Sequence, residues 1–300
     1  MPKINLTGHK GLVGSAIKAE ISTIDYTKRI NNLEDYSNFL TENQIDTIIH
    51  TAAKVGGVVS NYNNKIDFYL LNSNLNNIVF EAALKTNVKK LINFSSTCVF
   101  PDKVEYPLKE EYIFEGPPHY TNDSYAYAKR MMQHLCVEAK KLGHNYFTIV
   151  PTNVFGLNDY YNLQNSHVLP GMIHKCFLAK QNNTEFVIWG SGKPLREFIY
   201  SKDLARITKQ LTNIDHDYDS VIVSNGNEIS IEECAYTIAK AFGFKGNIVY
   251  DSSKPDGQFR KPTDISRLKE LIPDLTFTPF EDAINESIEW FVTNYEQIRK

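Results

Sequence analysis

The beginning of the chain decides the fold, through the stretch Lys3-Ile4-Asn5-Leu6-Thr7-Gly8-His9-Lys10-Gly11-Leu12-Val13-Gly14-Ser15-Ala16-Ile17-Lys18. A short apolar strand runs here into a GxxGxxG turn, and the residues after the turn favour a helix. Glycines allow the backbone to approach a pyrophosphate closely, while the start of a helix offers free N–H groups and a positive dipole end. The order of strand, glycine turn and helix therefore predicts a dinucleotide-binding site.

The residues that follow Ile24, in a second short predicted strand, bear on which dinucleotide binds. Asp25 has the chemistry to accept a hydrogen bond from a ribose 2′-hydroxyl, which favours NAD. Lys10, Lys28 and Arg29 have the charge to surround a 2′-phosphate, which favours NADP. Solvated surface charge is the alternative for all four residues, and their balance favours NADP(H).

The rest of the first half alternates short apolar segments with segments of helical period. The predicted strands are 45–53, 91–94 and 146–150, and the predicted helices are 33–40 and 67–85. Residues 54–61 and 101–120 are predicted loops, and the small side chains of Ala52 and Ala53 leave room for a cofactor. The apolar face of the second helix is predicted to consist of Leu70, Leu71, Leu75, Ile78, Val79 and Ala82. This alternation is typical of the α/β class, with a Rossmann-like, doubly wound parallel sheet.

Two further stretches carry reactive side chains, namely Ser95-Ser96-Thr97-Cys98 and Tyr125-Ala126-Tyr127-Ala128-Lys129. The first follows a buried strand, and the carboxyl ends of parallel strands are where such folds bind ligands. In the second, Tyr125 and Lys129 are spaced to lie on one face of a helix, which Asn122 or Asp123 is expected to cap. A lysine near a phenol favours the phenolate, so these residues suit hydride transfer with proton shuttling.

The second half has shorter segments and is predicted to form a smaller, substrate-binding α/β domain. We place the dinucleotide-binding domain at 1–155 and the substrate domain mainly at 156–300, with some segments crossing back to the first. Strands are predicted at 186–192 and 197–200, and helices at 231–242 and 280–299. Asp203 is expected to cap a helix that follows it, and Ser230 to cap the helix at 231–242.

Composition excludes several classes of function. The 300 residues are 42% hydrophobic and carry a net charge of −3, so no global basic field points to nucleic acid. No apolar run reaches membrane-spanning length, and the apolar start is too short for a signal peptide. The four cysteines, Cys98, Cys136, Cys176 and Cys234, lie far apart, which predicts neither a metal site nor disulfides and favours a cytoplasmic protein.

Several strings of residues together resemble the GDP-L-fucose synthase family, a branch of the extended short-chain dehydrogenase/reductases. They cover nearly the whole chain in order: GHKG at 8–11, AKVGG at 53–57, STCVFP at 96–101, YAYAK at 125–129, PTN at 151–153, NSHVLP at 165–170, WGSGKPLREF at 189–198 and KPDG at 254–257. The resemblance implies an NADPH-dependent enzyme that epimerises GDP-4-keto-6-deoxymannose at C3 and C5 and then reduces C4. It also implies a homodimer formed through the helix that carries the tyrosine and its neighbour.

The resemblance also implies roles for individual residues. Ser96, Tyr125 and Lys129 correspond to the reductive site, and Cys98 and His167 to the acid/base pair of the epimerase. Predicted contacts to the GDP-sugar come from Lys175, Trp189, Arg196, Lys254 and Asp256. Predicted contacts to NADP(H) come from Gly8, Lys10, Gly11, Leu12, Val13, Gly14, Lys28, Arg29, Ala52, Ala53, Lys54, Tyr125, Lys129, Pro151, Asn153, Val154 and His167.

Departures from the family pattern keep a second function open. Lys175 stands where the family has arginine, and the loop at 102–122 has its own composition. These differences fit a reductase-only enzyme for a related GDP-4-keto-hexose or heptose in surface-polysaccharide synthesis. A nucleotide-binding regulator on the same fold is a third hypothesis, against which the complete Ser-Tyr-Lys set argues.

Overall fold

The computed structural model describes residues 2–254 and 256–299, with only the backbone described at Val58 and Val59. Its strands are β1 (Ile4–Thr7), β2 (Thr47–His50), β3 (Lys90–Phe94), β4 (Asn145–Pro151), β5 (Asn153–Phe155), β6 (Phe186–Trp189), β7 (Leu195–Tyr200), β8 (Ser220–Val223), β9 (Glu228–Ser230) and β10 (Ile248–Asp251). Its α-helices are α1 (Leu12–Glu20), α2 (Leu33–Glu42), α3 (Val58–Asn63), α4 (Lys65–Lys85), α5 (Asp123–Lys141), α6 (Val168–Asn182), α7 (Ser201–Asn213), α8 (Ile231–Phe242), α9 (Ser266–Leu271) and α10 (Phe280–Thr293).

A five-stranded parallel sheet in the order β1-β2-β3-β4-β8 forms the centre of the larger part. Neighbouring residues such as Leu91 and Ile92 point to opposite faces, and both are fully buried. Helices α1 and α7 cover one face, and α2, α4 and α5 cover the other. Strands buried on both faces read as continuous apolar runs, which is why the sequence predicted this α/β, doubly wound class correctly.

The second half of the chain builds two smaller sheets. Strands β6 and β10 pair in parallel, while β7 lies between β5 and β9. Helices α6, α8 and α10 pack with these strands around an aromatic-rich core. Strand β8 crosses back into the large sheet, and the division of the chain at residue 155 stays a prediction.

Several predicted elements differ from the observed ones in their extent. The strand expected at Ile24 is only an isolated bridge to Asn5, and the strand expected at 45–53 ends at His50. The predicted loop at 54–61 is wrong in its second half, because α3 forms there. The Asn61 side chain stabilises this turn by donating to Gly56 O at 2.7 Å and to Gly57 O at 3.1 Å.

Other expectations about helices are corrected in the same way. The loop at 101–120 contains a 3₁₀ helix (Glu110–Phe114), and the last helix ends at Thr293 rather than at 299. On α4, Leu70 and Leu71 are exposed because the face that packs on α5 and the sheet carries Phe68, Val79 and Phe80 instead.

The predicted helix caps had different outcomes. Ser230 forms the expected cap, with a reciprocal hydrogen bond to Glu233. Asn122 occupies the cap position of α5 but makes no capping hydrogen bond. Asp203 is not a cap, since it lies inside the first turn of α7 and accepts from Thr278 N at 2.8 Å.

Candidate active site

The glycine turn shapes one end of a cleft of about 1360 Å³ at the carboxyl edge of the large sheet. Gly8 has a φ of +75°, and its carbonyl accepts from Gly11 N at 2.9 Å. A Cβ on Gly14 would lie 2.1 Å from Gly8 O, so only glycine allows helix α1 to start this close to the turn. The first N–H groups of α1 therefore border the cleft, which suits a pyrophosphate.

The part of the cleft beyond the turn is basic. Lys10, Lys28 and Arg29 all line it. Asp25 is not among the lining residues, because its carboxylate forms an ion pair with Lys18 on α1. This arrangement fits the charge of a 2′-phosphate.

All the residues predicted to contact the cofactor line this one cleft. Besides the glycine turn and the basic end, they are Ala52, Ala53, Lys54, Tyr125, Lys129, Pro151, Asn153, Val154 and His167. Asparagine side chains hold two of these segments in place. Asn72 Oδ1 accepts from Lys54 N at 2.8 Å, and Asn153 Nδ2 donates to Glu197 O at 2.8 Å. Their roles toward the cofactor stay predictions.

Ser96, Tyr125 and Lys129 all line the same cleft. Ser96 follows β3, where its Oγ accepts from Cys98 N at 3.4 Å. Lys129 is buried in α5, its Nζ donates to Phe94 O at 2.8 Å, and the same atom lies 5.9 Å from the centre of the Tyr125 ring. The strand end and the helix thus bring the three side chains together as the sequence predicted.

The electrostatics of this trio differ from the expectation that Lys129 promotes a Tyr125 phenolate. Burial, with a smaller effect from Cys98, raises the pKa of the Tyr125 phenol above its usual value. Burial also lowers the pKa of the Lys129 ammonium to about 8. The physical reason for the shift at Lys129 is that its ammonium is buried, where it donates to the Phe94 carbonyl. Tyr125 is therefore held as a phenol with a proton to donate.

Cys98 and His167 lie in different surroundings. Cys98 lies in a 3₁₀ turn (Thr97–Val99) behind Ser96, and it is half-buried against the core rather than on the wall of the cofactor cleft. Burial raises the pKa of its thiol. His167 is the cap residue directly before α6, and it does line the cleft. It is exposed to the open cleft, yet the surrounding protein lowers the pKa of its imidazole.

The residues predicted to hold the GDP-sugar gather around β6 and the start of β7, outside the lining of the cofactor cleft. Trp189 is 41% exposed, with Lys175 Nζ at 3.9 Å and Lys254 Nζ at 5.5 Å from its ring centre. Asp256 accepts from Ser191 N at 2.6 Å, and the Arg196 guanidinium donates to Leu195 O at 2.7 Å. An exposed indole flanked by cations suits a base and its phosphates.

The sequence reasoning missed several residues that line the cofactor cleft, among them Asp159, Tyr160 and Arg299. Arg299 arrives from the end of the chain by pairing with Tyr160. Asp159 is 4% exposed, and burial raises the pKa of its carboxyl to about 7. The position of Asp159 shortly after a predicted strand was a usable signal, whereas no local pattern marks Arg299.

Within 2–254 and 256–299, no group of three His, Cys, Asp or Glu side chains is placed to hold a metal ion. In that same part of the chain, no helix combines the length and apolarity needed to cross a membrane.

A parallel sheet with a glycine turn, a basic cleft and a Ser-Tyr-Lys trio defines an NAD(P)-dependent reductase of the short-chain dehydrogenase type. The model of the NAD dependent epimerase/dehydratase family matches residues 4–219. A GDP-L-fucose synthase of Dictyostelium discoideum is 40% identical, over 98% of this chain and 97% of its own. The chain belongs to the GDP-L-fucose synthase family.

Solved structures agree with this assignment. The crystal structure of a GDP-L-fucose synthetase from Naegleria fowleri bound to NADP is 40% identical, with a TM-score of 0.91 over 100% of this chain and 95% of that one. A GDP-6-OMe-4-keto-L-xylo-heptose reductase from Campylobacter jejuni is 27% identical, with a TM-score of 0.88 over 98% of each chain. The fold is therefore similar both to fucose-pathway enzymes and to a heptose reductase.

Proposed function

We propose that the protein reduces the C4 keto group of a GDP-4-keto-6-deoxy sugar with NADPH, after epimerising C3 and C5, as in GDP-L-fucose synthesis. The observation that carries this proposal is the position of Ser96, Tyr125 and Lys129 in the same cleft as the glycine turn and the basic end. The NADP-bound relative and the curated GDP-L-fucose synthases support NADP(H) as the cofactor.

Reduction needs a hydride on C4 and a proton on the C4 oxygen. NADPH supplies the hydride when it is bound. Ser96 donates a hydrogen bond that orients the carbonyl, and Tyr125 gives its phenolic proton to the oxygen as charge develops there. Lys129 lies close enough to stabilise the phenolate that remains.

Epimerisation needs one group to remove a proton next to the ketone and another to return one on the opposite face. A C4 ketone acidifies the protons at C3 and C5, since the resulting carbanion is an enolate. Cys98 and His167 suit these two tasks because a thiol and an imidazole can each accept and donate a proton, and His167 lines the same cleft as the Ser-Tyr-Lys trio. The GDP part is held by Trp189 with Lys175, Lys254 and Arg196, and Asp256 fixes the turn between β6 and β7.

A reductase without epimerase activity is the alternative. The likeness to the heptose reductase supports it, as does Lys175, which offers one ammonium where the family's arginine has a planar fork. Incubating the enzyme with substrate in D₂O without NADPH tests the choice. Deuterium at C3 or C5 supports the bifunctional enzyme. If no deuterium enters and the enzyme still reduces its substrate, the reductase-only function is supported instead.

We also propose a homodimer formed through α4 and α5. Ile66, Tyr69 and Leu70 on α4 and Tyr127 and Met131 on α5 are all exposed, although both helices pack side by side on the sheet. Such an apolar surface is typical of a protein interface. The free thiols, of which three are buried, fit a reducing cytoplasm as the place of action.

Negative charges placed on the exposed apolar surface of α4 and α5 test the proposed dimer. Ile66→Glu combined with Met131→Glu is expected to halve the mass measured by light scattering after gel filtration. Leu142→Glu, which changes another exposed leucine at the end of α5, is the matched control and is expected to leave the mass unchanged. A double variant of unchanged mass would contradict this interface.

A further inference from the structure

The segment 294–299, which follows α10, returns to the cofactor cleft and is fixed there by backbone and side-chain contacts. Tyr161 N donates to Arg299 O at 2.9 Å, and Tyr160 pairs with Arg299 in an isolated parallel bridge. Ile298 is 8% exposed and belongs to the aromatic-rich core of the second half of the chain. Arg299 is therefore presented to the cleft from a fixed backbone.

The guanidinium of Arg299 is connected through one residue to the first turn of α1. Arg299 Nη2 donates to Asn158 O, and Asn158 Nδ2 donates to Ser15 Oγ at 3.2 Å. Ser15 N in turn donates to Gly11 O at 2.8 Å, which places Ser15 in that first turn. Arg299 thus lies near the end of α1 whose free N–H groups border the cleft.

Most of the hydrogen-bonding capacity of Arg299 is available to a ligand. A guanidinium has five N–H donors, and the contact with Asn158 O uses one of its nitrogens. Within 2–254 and 256–299, Nε and Nη1 of Arg299 donate to no other residue. The side chain is also exposed and lines the cleft, so its remaining donors can reach a bound molecule.

Asp159 adds a buried carboxyl group to the same part of the cleft lining. It is 4% exposed, and its Oδ1 accepts from Tyr160 N at 2.7 Å, whereas Oδ2 makes no hydrogen bond to the described residues. Burial raises the pKa of Asp159 to about 7, against a smaller opposing effect from the charge of Arg299. The protonated carboxyl has an O–H to offer to a ligand oxygen, so Asp159 does not exclude an anion here.

The other cations of the cleft have different tasks. Lys10, Lys28 and Arg29 line the basic end, which fits a 2′-phosphate, and Lys129 belongs to the reductive trio. The start of a helix carries only a partial positive charge, which does not neutralise a pyrophosphate by itself. A guanidinium complements it well, because its planar fork can donate to two phosphate oxygens at once.

We propose that Arg299 binds the pyrophosphate of NADP(H), so that the segment after α10 completes the cofactor site that the glycine turn begins. This inference rests on the use of NADP(H) in the proposed function. Helix α10 packs on α8 in the second half of the chain, whereas the glycine turn belongs to the first half. Both halves of the chain therefore hold the cofactor.

Nucleotide binding by the protein without any sugar tests the proposal. Arg299→Gln is expected to raise the Kd for NADPH and the Kd for NADH alike by about tenfold, since both contain the pyrophosphate and lose a charge-assisted hydrogen bond. The Kd for adenosine 2′-monophosphate, which has the 2′-phosphate but no pyrophosphate, is expected to stay unchanged. Fluorescence titration measures the first two values and calorimetry the third, all at one pH because Asp159 ionises near neutral pH.

Control variants separate a specific contact from a general effect of charge. Arg299→Lys keeps the charge without the planar fork and is expected to restore part of the lost affinity. Lys245→Gln removes an exposed cation between α8 and β10, outside the cleft lining, and is expected to leave all three Kd values unchanged. Circular dichroism identifies a variant that fails to fold, and Arg299→Met then carries the test in place of Arg299→Gln.

Three results would overturn the proposal. A Kd raised for NADPH but not for NADH would place Arg299 at the 2′-phosphate instead. Unchanged Kd values for both dinucleotides would show that Arg299 does not contact the pyrophosphate, and a raised KM for the GDP-sugar would then make it a substrate contact. An equal loss for all three ligands would indicate a general effect of charge.

Failure of the proposed function gives a different result. In that case the unchanged protein binds NADPH but reduces no GDP-4-keto sugar, and the role of Arg299 in binding the pyrophosphate still stands on the Kd values. If instead the unchanged protein reduces the sugar and Arg299→Gln binds both dinucleotides normally, only the inference about Arg299 is refuted.

Discussion

Tyr125 is the residue whose removal tests reduction most directly. Tyr125→Phe keeps the ring that packs against Phe68 but removes the proton donor. We expect kcat for NADPH oxidation to fall by about 10²- to 10⁴-fold, the usual contribution of a general acid. NADPH affinity, measured by fluorescence titration, is expected to stay near normal. Tyr127→Phe, on the exposed side of the same helix, is the matched control, and unchanged turnover in Tyr125→Phe would refute the assignment.

Cys98 separates the two proposed activities. Cys98→Ser keeps a small side chain but replaces a thiol with a hydroxyl that is far less acidic. We expect it to suppress deuterium uptake at C3 and C5 at least about tenfold more than the reduction of an already epimerised substrate. Equal losses in the two assays would indicate a structural role in the turn behind Ser96.

At the scale of single residues, the sequence identified those candidates that a local sequence pattern marks. Tyr125 and Lys129 were found because helical spacing places them on one face, and Ser96 because it follows an apolar strand. Arg299 was not found, because it reaches the cleft only through its tertiary pairing with Tyr160. Burial in the folded protein raises the pKa of the Tyr125 phenol, an effect that the helical spacing of Tyr125 and Lys129 does not reveal.

At the scale of elements, the segment after Ile24 decides the choice between NADPH and NADH. The double variant Lys28→Ala, Arg29→Ala removes two cations from the basic end of the cleft. We expect the Kd for NADPH to rise by about tenfold or more, as befits lost charge-assisted hydrogen bonds, while the Kd for NADH changes little. Asp25→Asn is the control, because its carboxylate is paired with Lys18. An equal loss for both cofactors would contradict a 2′-phosphate site here.

Elements with strong local signals were predicted well, and those that depend on distant contacts were not. The strand β3 and the helix α8 follow from an apolar run and a capping box. Helix α3 was missed because its start depends on Gly57 N donating to Asn165 O at 2.8 Å. That same contact connects α3 to the turn that presents His167, so the error fell close to the candidate site.

For the whole molecule, the pH dependence of stability comes in part from two buried groups. Burial shifts their pKa values in opposite directions. Burial lowers the pKa of His50 to about 3, below its unfolded value near 6.5, so its contribution to stability is lost as the pH falls below 6.5. Burial raises the pKa of Asp159 from 3.8 to about 7, so its contribution is lost as the pH rises from 3.8 toward 7. Neither effect was visible in the sequence, because each depends on the packing of the complete fold.

Asp159→Asn isolates the second effect, because the variant keeps an oxygen that can accept from Tyr160 N but cannot ionise. We expect the free energy of unfolding of Asp159→Asn, relative to the unchanged protein, to increase by roughly 2–4 kcal/mol between pH 4 and pH 8. Urea unfolding followed by tryptophan fluorescence at several pH values measures this difference, and the His50 effect cancels because both proteins contain it. Asp217→Asn, at a residue between α7 and β8 outside the cleft, is the control and is expected to show no such trend. A difference that stays constant with pH would mean that Asp159 remains ionised in the fold, with the nearby Arg299 charge compensating for its burial.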